Sequence, residues 1–400
     1  MKRFITALMM ISCAPVCAQI RIDADFAGGN VVIDKISSDT VYFRPDLTGT
    51  QGKWFYWYFR ATSEEPQTWY FKATQTNILT SSGANYSRDG GYTWQRIDPD
   101  DHLSTNLFSH TFTKGDQSVR FSFGQPYTQR NFERFIKKYQ GDSQLKISTF
   151  CHSGKGREVE QILISDFENE PDYKILFVAR NHACEMMANY LIEGIIDALL
   201  SGAPEMDTLL AKAEIMIIPF VDKDGVEEGD QGKNRLPRDH NRDYSGASLY
   251  ATTAAIRKKI PEWAGNTPWV AIDLHNPGIK GEGHEKIFFV GKSQPALHKE
   301  QKKLAYILAV TRRGPLSFEK DHNFLTFGES WNKSTSYQKG WPFSEWAASY
   351  FGKGLLVTTT IEFPYALNGP QPITAQNTRY FGKDLIYALS HYLNHHKPSK

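Results

Sequence analysis

Apolar and polar positions along this chain follow two rhythms. From about residue 20 to about 125 they alternate in short, aromatic-rich runs: Thr40-Val41-Tyr42-Phe43-Arg44, Trp54-Phe55-Tyr56-Trp57-Tyr58-Phe59, Thr68-Trp69-Tyr70-Phe71 and Val119-Arg120-Phe121-Ser122-Phe123. Gly, Asn and Asp clusters separate the runs, so the spacing predicts short strands in an antiparallel β-sandwich. After Pro126 strands and helices alternate. Ile175–Ala179 is a near-continuous apolar run, as in a strand buried on both faces. Met186–Leu200 has apolar residues three and four apart, with Gly202 just beyond, and predicts a helix. Glu214–Val221, Trp269–Leu274 and Leu355–Ile361 read as further buried strands; Gln294–Val310 and Thr374–His395 read as helices. The fold class expected is α/β: a mixed sheet flanked by helices, preceded by an antiparallel sandwich.

Length agrees with that division, since 400 residues exceed one small domain. The expected boundaries are a leader over 1–18, the sandwich over 19–125 and the α/β domain over 126–400. Lys2 and Arg3, then the apolar stretch Phe4–Ile11 and Val16-Cys17-Ala18, describe an export signal cut near Ala18, too short to span a bilayer. A lipoprotein signal ending at Cys13 is a minor alternative. Beyond the leader only Cys151 and Cys184 remain, which is no disulfide framework. A net charge of +2, with 22% charged residues mixed throughout, gives no electrostatic case for nucleic acid. No membrane span is expected, and nothing in the sequence bears on oligomeric state.

Active residues of α/β sheets gather where strands end. His182 and Glu185 follow the strand Ile175–Ala179, His275 follows Trp269–Leu274, and Glu362 ends Leu355–Ile361. Two imidazoles and a carboxylate form a catalytic zinc set that leaves one position open, and a further carboxylate, Glu362, serves as general base. Singly none is specific; together they point to one zinc per chain.

Asn181–Tyr190 resembles the zinc-binding motif of the metallocarboxypeptidase family, and four further blocks follow in the family's order. Pro219-Phe220-Val221-Asp222-Lys223-Asp224-Gly225 resembles the strand ending in Asn-Pro-Asp-Gly, with Asp222-Lys223 departing from it. Arg235 and Asp239-His240-Asn241-Arg242 resemble the catalytic arginine and the Asp-x-Asn-Arg segment. Asp273-Leu274-His275 resembles the block of the third ligand. Ser336-Tyr337-Gln338, with Trp346 nine residues after Tyr337, and then Glu362, resemble the mobile tyrosine region and the catalytic glutamate. The aromatic sandwich and the junction Phe123–Thr128 are similar to the cytosolic-carboxypeptidase branch.

The resemblance implies a hydrolase acting on peptides with a free C-terminal carboxylate. Arg235 would face the scissile carbonyl; Arg238 is the alternative. Asp239 would orient His182 by accepting its second ring proton. Asn241 and Arg242 would hold the terminal carboxylate, Tyr337 would close over it, and Ser344 would sit in the specificity pocket. Ser344 commits to no terminal residue. Competing readings are a zinc amidase acting on cell-wall peptides and a non-catalytic glycan- or peptide-binding protein. Ser87-Arg88-Asp89-Gly90-Gly91-Tyr92-Thr93-Trp94 matches a single Asp-box hairpin of glycan-active proteins, though Asp-Gly-Gly is also good turn chemistry.

Overall fold

Strand β3 shows how the first region is built: Val41 and Phe43 are buried and their neighbours are not, as a two-residue period requires. The structure, a computed structural model, describes residues 19–396, so the expected leader with Cys13 and Ala18 lies outside the described residues. Among the described residues nine strands precede residue 123: β1 (Ile20–Asp23), β2 (Val32–Ser37), β3 (Thr40–Arg44), β4 (Tyr58–Ser63), β5 (Thr68–Ala73), β6 (Asn85–Ser87), β7 (Gln95–Arg96), β8 (Leu107–Thr111) and β9 (Ser118–Ser122). They form two sheets, β1-β4-β9-β6-β7 and β2-β3-β5-β8. All pairings are antiparallel except β3 with β5, which is parallel. Phe43, Trp57, Phe59, Phe71, Phe108 and Phe121 fill the space between the sheets in edge-on and stacked contacts.

One expectation changes here. Of the run Trp54–Phe59 only Tyr58 and Phe59 enter a strand. Trp54 is half-buried and Phe55–Trp57 buried, and the polar groups of this chain go elsewhere: the Gln231 side chain accepts from Tyr56 N and donates to Tyr56 O, both at 2.8 Å. The Asp-box sequence is a hairpin turn, as its turn chemistry predicts. Asp89 holds it by accepting from the Ser87 hydroxyl, Tyr92 N, Thr93 N and the Thr93 hydroxyl.

The second region is a sheet in the order β10-β11-β13-β12-β14-β17-β15-β16. Its strands are β10 (Leu145–His152), β11 (Glu158–Ile164), β12 (Tyr173–Ala179), β13 (Ala213–Ile218), β14 (Trp269–His275), β15 (Phe288–Val290), β16 (Phe324–Leu325) and β17 (Leu355–Glu362). Pairings among β13, β12, β14 and β17 are parallel, whereas β10–β11, β11–β13 and β15–β17 are antiparallel, so the sheet is mixed. The helices are α1 (Gln129–Ile136), α2 (Met187–Leu199), α3 (Pro204–Leu210), α4 (Lys223–Glu228), α5 (Ala251–Ala264), α6 (Pro295–Thr311), α7 (Phe343–Ala348) and α8 (Ala375–Asn394).

Alternate residues of β12 face opposite helical layers. Ile175 and Phe177 pack in the core with α2 and α8, while Leu176 and Val178 pack with α5 and α7. Helices α2 and α8 approach closely because Gly194 and Gly382 sit at the crossing; a Cβ at Gly194 would lie 2.0 Å from Arg379 O. Ala179, Leu274 and Ile361 are register partners across β12, β14 and β17, so these strands end side by side. Cys151 and Cys184 are both free.

Candidate metal centre and substrate cavity

The strand ends fix the site. His275 and Glu362 are register partners on parallel neighbours β14 and β17, so their side chains leave the sheet together. His182 and Glu185 stand in the turn between β12 and α2, closed by Glu185 N donating to His182 O at 3.2 Å. The buried Arg180 guanidinium holds that turn. It donates to Tyr127 O at 2.9 Å, Asn189 Oδ1 at 2.7 Å and Ala183 O at 3.0 Å. Gly232 packs against the same turn, where a Cβ would fall 2.1 Å from Ala183 N.

Together these constraints bring His182, Glu185 and His275 to one point, with donor atoms all within 4.8 Å of one another. His182 Nδ1 lies 2.9 Å from Glu185 Oε1, and His275 Nδ1 lies 2.7 Å from Glu185 Oε2. The far ring nitrogens face carboxylates: Nε2 of His275 is 2.9 Å from Asp273, and Nε2 of His182 is 3.8 Å from Asp239. Imidazoles backed by carboxylates suit a divalent cation, and two nitrogens with one carboxylate suit zinc. Glu362 Oε2 is buried beside the cluster with no hydrogen-bond partner.

Charge balances around the cluster. Burial alone would raise the pKa of Glu185, but His275, Lys233 and His182 hold it well below the usual carboxylate range. Burial raises that of Glu362, with His275 pulling the other way. Burial would lower that of Lys233; Glu185, Cys184 and Glu362 outweigh it and keep the ammonium charged.

A cavity of about 370 Å³ opens over the cluster. At one end are Asn241, Arg242, Tyr337, Ser344, Thr360 and Lys292. Arg242 donates to Asn241 O at 2.7 Å, and among the described residues no carboxylate lies within ion-pair distance of it. Asn241 Oδ1 accepts from Phe343 N, leaving its amide N–H groups toward the cavity. Ser344 shares a 2.8 Å hydrogen bond with the Thr360 hydroxyl. Tyr337 reaches Asn332 Oδ1 at 3.3 Å.

Both candidate arginines are engaged by carboxylates. Arg235 is engaged by Asp222 and Asp230, and lines a neighbouring hollow. Arg238 pairs with Asp243 at 2.9 Å. The cation in the cavity beside the cluster is Lys233, 2.5 Å from Glu185 Oε1. It escapes the sequence reading because the motif directs attention to arginines. Lys292 is a second residue missed: its ammonium is buried in the cavity wall, 3.2 Å from Glu345, and burial lowers its pKa. An ammonium following the apolar strand β15 was the available signal.

Residues 132–256 match the zinc carboxypeptidase family, a stretch that contains His182, Glu185 and Arg242 and stops short of His275 and Glu362. Mouse cytosolic carboxypeptidase 3 is 25% identical over 257 residues, covering 56% of this chain and 25% of its own length. Mouse cytosolic carboxypeptidase 6 is 24% identical over 264 residues, covering 59% of this chain and 48% of its own length. The chain thus spans between a quarter and a half of these relatives. A metallo-carboxypeptidase from Burkholderia cenocepacia superposes with a TM-score of 0.77 at 18% identity, over 95% of this chain and 100% of that one. One from Pseudomonas aeruginosa superposes at 0.73 and 18% identity, over 94% and 99%. Such coverage makes the two-sheet N-terminal region part of the shared fold. Residues 132–256 thus match the zinc carboxypeptidase family, cytosolic carboxypeptidases are homologues of the chain, and its fold is that of bacterial metallo-carboxypeptidases.

Proposed function

We propose that this chain is a zinc-dependent metallocarboxypeptidase that removes single residues from peptide C-termini and favours an acidic terminal side chain. The observation that carries the reading is one cavity with the His182–Glu185–His275 cluster and Glu362 at its base and the carboxylate-free Arg242 at one end. His182, Glu185 and His275 would hold one zinc ion, which would supply Lewis-acid polarisation and lower the pKa of water toward neutrality. Glu362 takes a proton from the attacking water at its carboxylate and delivers one to the leaving amine. Lys233 faces the negative charge growing on the carbonyl oxygen, the work the motif assigns to Arg235. Asp239 and Asp273 orient the two imidazoles.

At the other end, Arg242 and the Asn241 amide hold the substrate's terminal carboxylate, and Tyr337 covers it. Lys292 supports the acidic preference. Lys292, which lines the same cavity as the Ser344 and Thr360 hydroxyls and is paired with Glu345, offers a donor to a substrate carboxylate and opposes a cation. Purified protein should hold about one zinc per chain, lost in His182→Ala and His275→Ala. A peptide library read by mass spectrometry should show release of terminal Glu or Asp, and Lys292→Met should abolish that preference. Full zinc retention in both histidine variants would refute the metal centre, and equal release of Glu and Lys by wild type would refute the preference.

We also infer export. Lys2-Arg3, the apolar Phe4–Ile11 and the small residues to Ala18 support it. A mature chain beginning near Gln19 outside the cytoplasm is the expected result; a cytoplasmic chain keeping Met1 would oppose it.

A further inference from the structure

Trp54 belongs to the N-terminal region by sequence, yet its indole lines the cavity over the metal cluster. Its segment is stitched to the second region by backbone pairing. Gln51 N donates to Asn234 O at 3.0 Å and Leu236 N donates to Gly49 O at 2.8 Å. The tryptophan itself is fixed at both ends. Its indole N–H donates to Gln51 O at 3.1 Å, and its carbonyl accepts from the Gln75 amide at 2.7 Å. An aromatic side chain held this way offers a preformed apolar face.

Its place in the cavity decides what can meet that face. Lys233 Nζ lies 5.6 Å from the Trp54 ring centroid and 2.5 Å from Glu185, so Trp54 adjoins the metal end. The residues assigned to the terminal carboxylate and side chain contact one another instead: Ser344 hydrogen-bonds Thr360 at 2.8 Å, Lys292 Nζ lies 5.4 Å from the Tyr337 ring, and the Arg242 charge acts on both Lys292 and Tyr337. A substrate with its terminal residue in that second group places its scissile bond over the cluster. The residue before the scissile bond then lies on the Lys233–Trp54 side.

We propose that Trp54, supplied by the N-terminal β-region, forms the subsite for the residue preceding the scissile bond and selects an apolar side chain there. The inference rests on the carboxypeptidase reading above and adds a specificity residue to it. Rigid aromatic area contributes binding only where the substrate presents apolar surface to cover it.

The test uses the full-length, zinc-loaded protein and N-acylated dipeptides X–Glu with X = Gly, Ala, Leu or Phe. Wild type should favour Leu and Phe over Gly by about tenfold or more in kcat/KM, the scale set by a few apolar carbons. In Trp54→Ala that ratio should fall toward one, and in Trp54→Phe most of it should return. Zinc content is read alongside and should match wild type in both variants. A merely structural role would lower all four substrates alike and leave the ratio standing, which would overturn the subsite. Cleavage by wild type without preference among X overturns it too. No cleavage of any of the four, together with a peptide library left intact, overturns the carboxypeptidase reading and this subsite with it.

Discussion

At the scale of single residues, the cavity divides labour among groups that a motif lists together. Glu362 touches the reacting water in the proposed mechanism, and its Oε2 accepts no hydrogen bond from the described residues. Glu362→Gln should therefore keep zinc and the folded state while turnover falls by about 10²–10⁴-fold, measured as kcat beside metal content. Arg235 and Lys233 separate in the same way. Arg235 neutralises Asp222, which is buried, and Asp230. Arg235→Ala should cost about 3 kcal/mol in a denaturant titration, because it strands a buried carboxylate. Lys233→Met should instead lower kcat by about 10²-fold, the scale of one lost oxyanion donor, with little change in KM. Arg242 lacks an acidic partner, so its counter-charge must come with the substrate. Wild type should prefer free-acid peptides over C-terminal amides, and Arg242→Ala should erase that preference at a cost of about 2–3 kcal/mol on the acids alone. Retention of the acid-to-amide ratio in Arg242→Ala would mean the site does not read a terminus.

Among elements, β8 shows how a strand position sets a pH response. His110 is buried between the rings of Phe112 and Phe121, and burial holds its pKa below the ordinary histidine value, with Asp116 only partly opposing. Below about pH 6.5 the unfolded chain takes up a proton that the folded chain refuses. The stability is thus complete above that value and declines as pH falls toward the folded pKa. His110→Gln should flatten the decline between about pH 7 and 5 when melting temperatures are compared with wild type.

The elements also show what could be seen in the sequence and what could not. Buried parallel strands give unbroken apolar runs, and helices with apolar stripes give period 3.6. The edges read for β12, β14, β17, α2, α6 and α8 therefore lie within about two residues of the observed ones. The run Trp54–Trp57 misled for a physical reason: aromatic residues mark a buried face, but do not say whether the backbone pairs with a strand or with a distant side chain such as Gln231. The β10–β11 hairpin was not read, because several β10 positions are exposed and no apolar alternation signals them. In the cavity, His182, Glu185, His275 and Glu362 were legible because strand ends locate them. Lys233 and Lys292 were not, since lysine is ordinarily a surface residue and only tertiary contacts reveal burial.

For the whole molecule, the question is whether the two regions are separate bodies joined by a hinge. The contacts between them argue for one cooperative unit. A single apolar core runs from Val41 and Phe43 in the sheets to Leu389 and Leu393 in α8. Phe55 and Phe123 both meet Tyr365 edge-on, with ring centroids 5.5 and 5.0 Å apart. Polar bonds concentrate on one loop: Gly28 N donates to Glu227 O, Asn30 donates to Gly229 O, and Gln231 exchanges two bonds with Tyr56. Cys184 N, next to the candidate ligand Glu185, donates to Gln231 O at 3.2 Å. The N-terminal sheets thus hold residues 229–236, and that loop props the turn bearing His182 and Glu185. Gln231→Ala would leave the backbone N–H and C=O of buried Tyr56 without partners, an expected loss of about 2–4 kcal/mol. Because the same loop supports the metal turn, zinc affinity should fall together with stability, although residue 231 touches no ligand side chain. Calorimetry of wild type should give a single transition with calorimetric and van't Hoff enthalpies equal. Two resolved transitions, or a Gln231→Ala variant that melts early yet binds zinc as tightly as wild type, would show the regions to be independent.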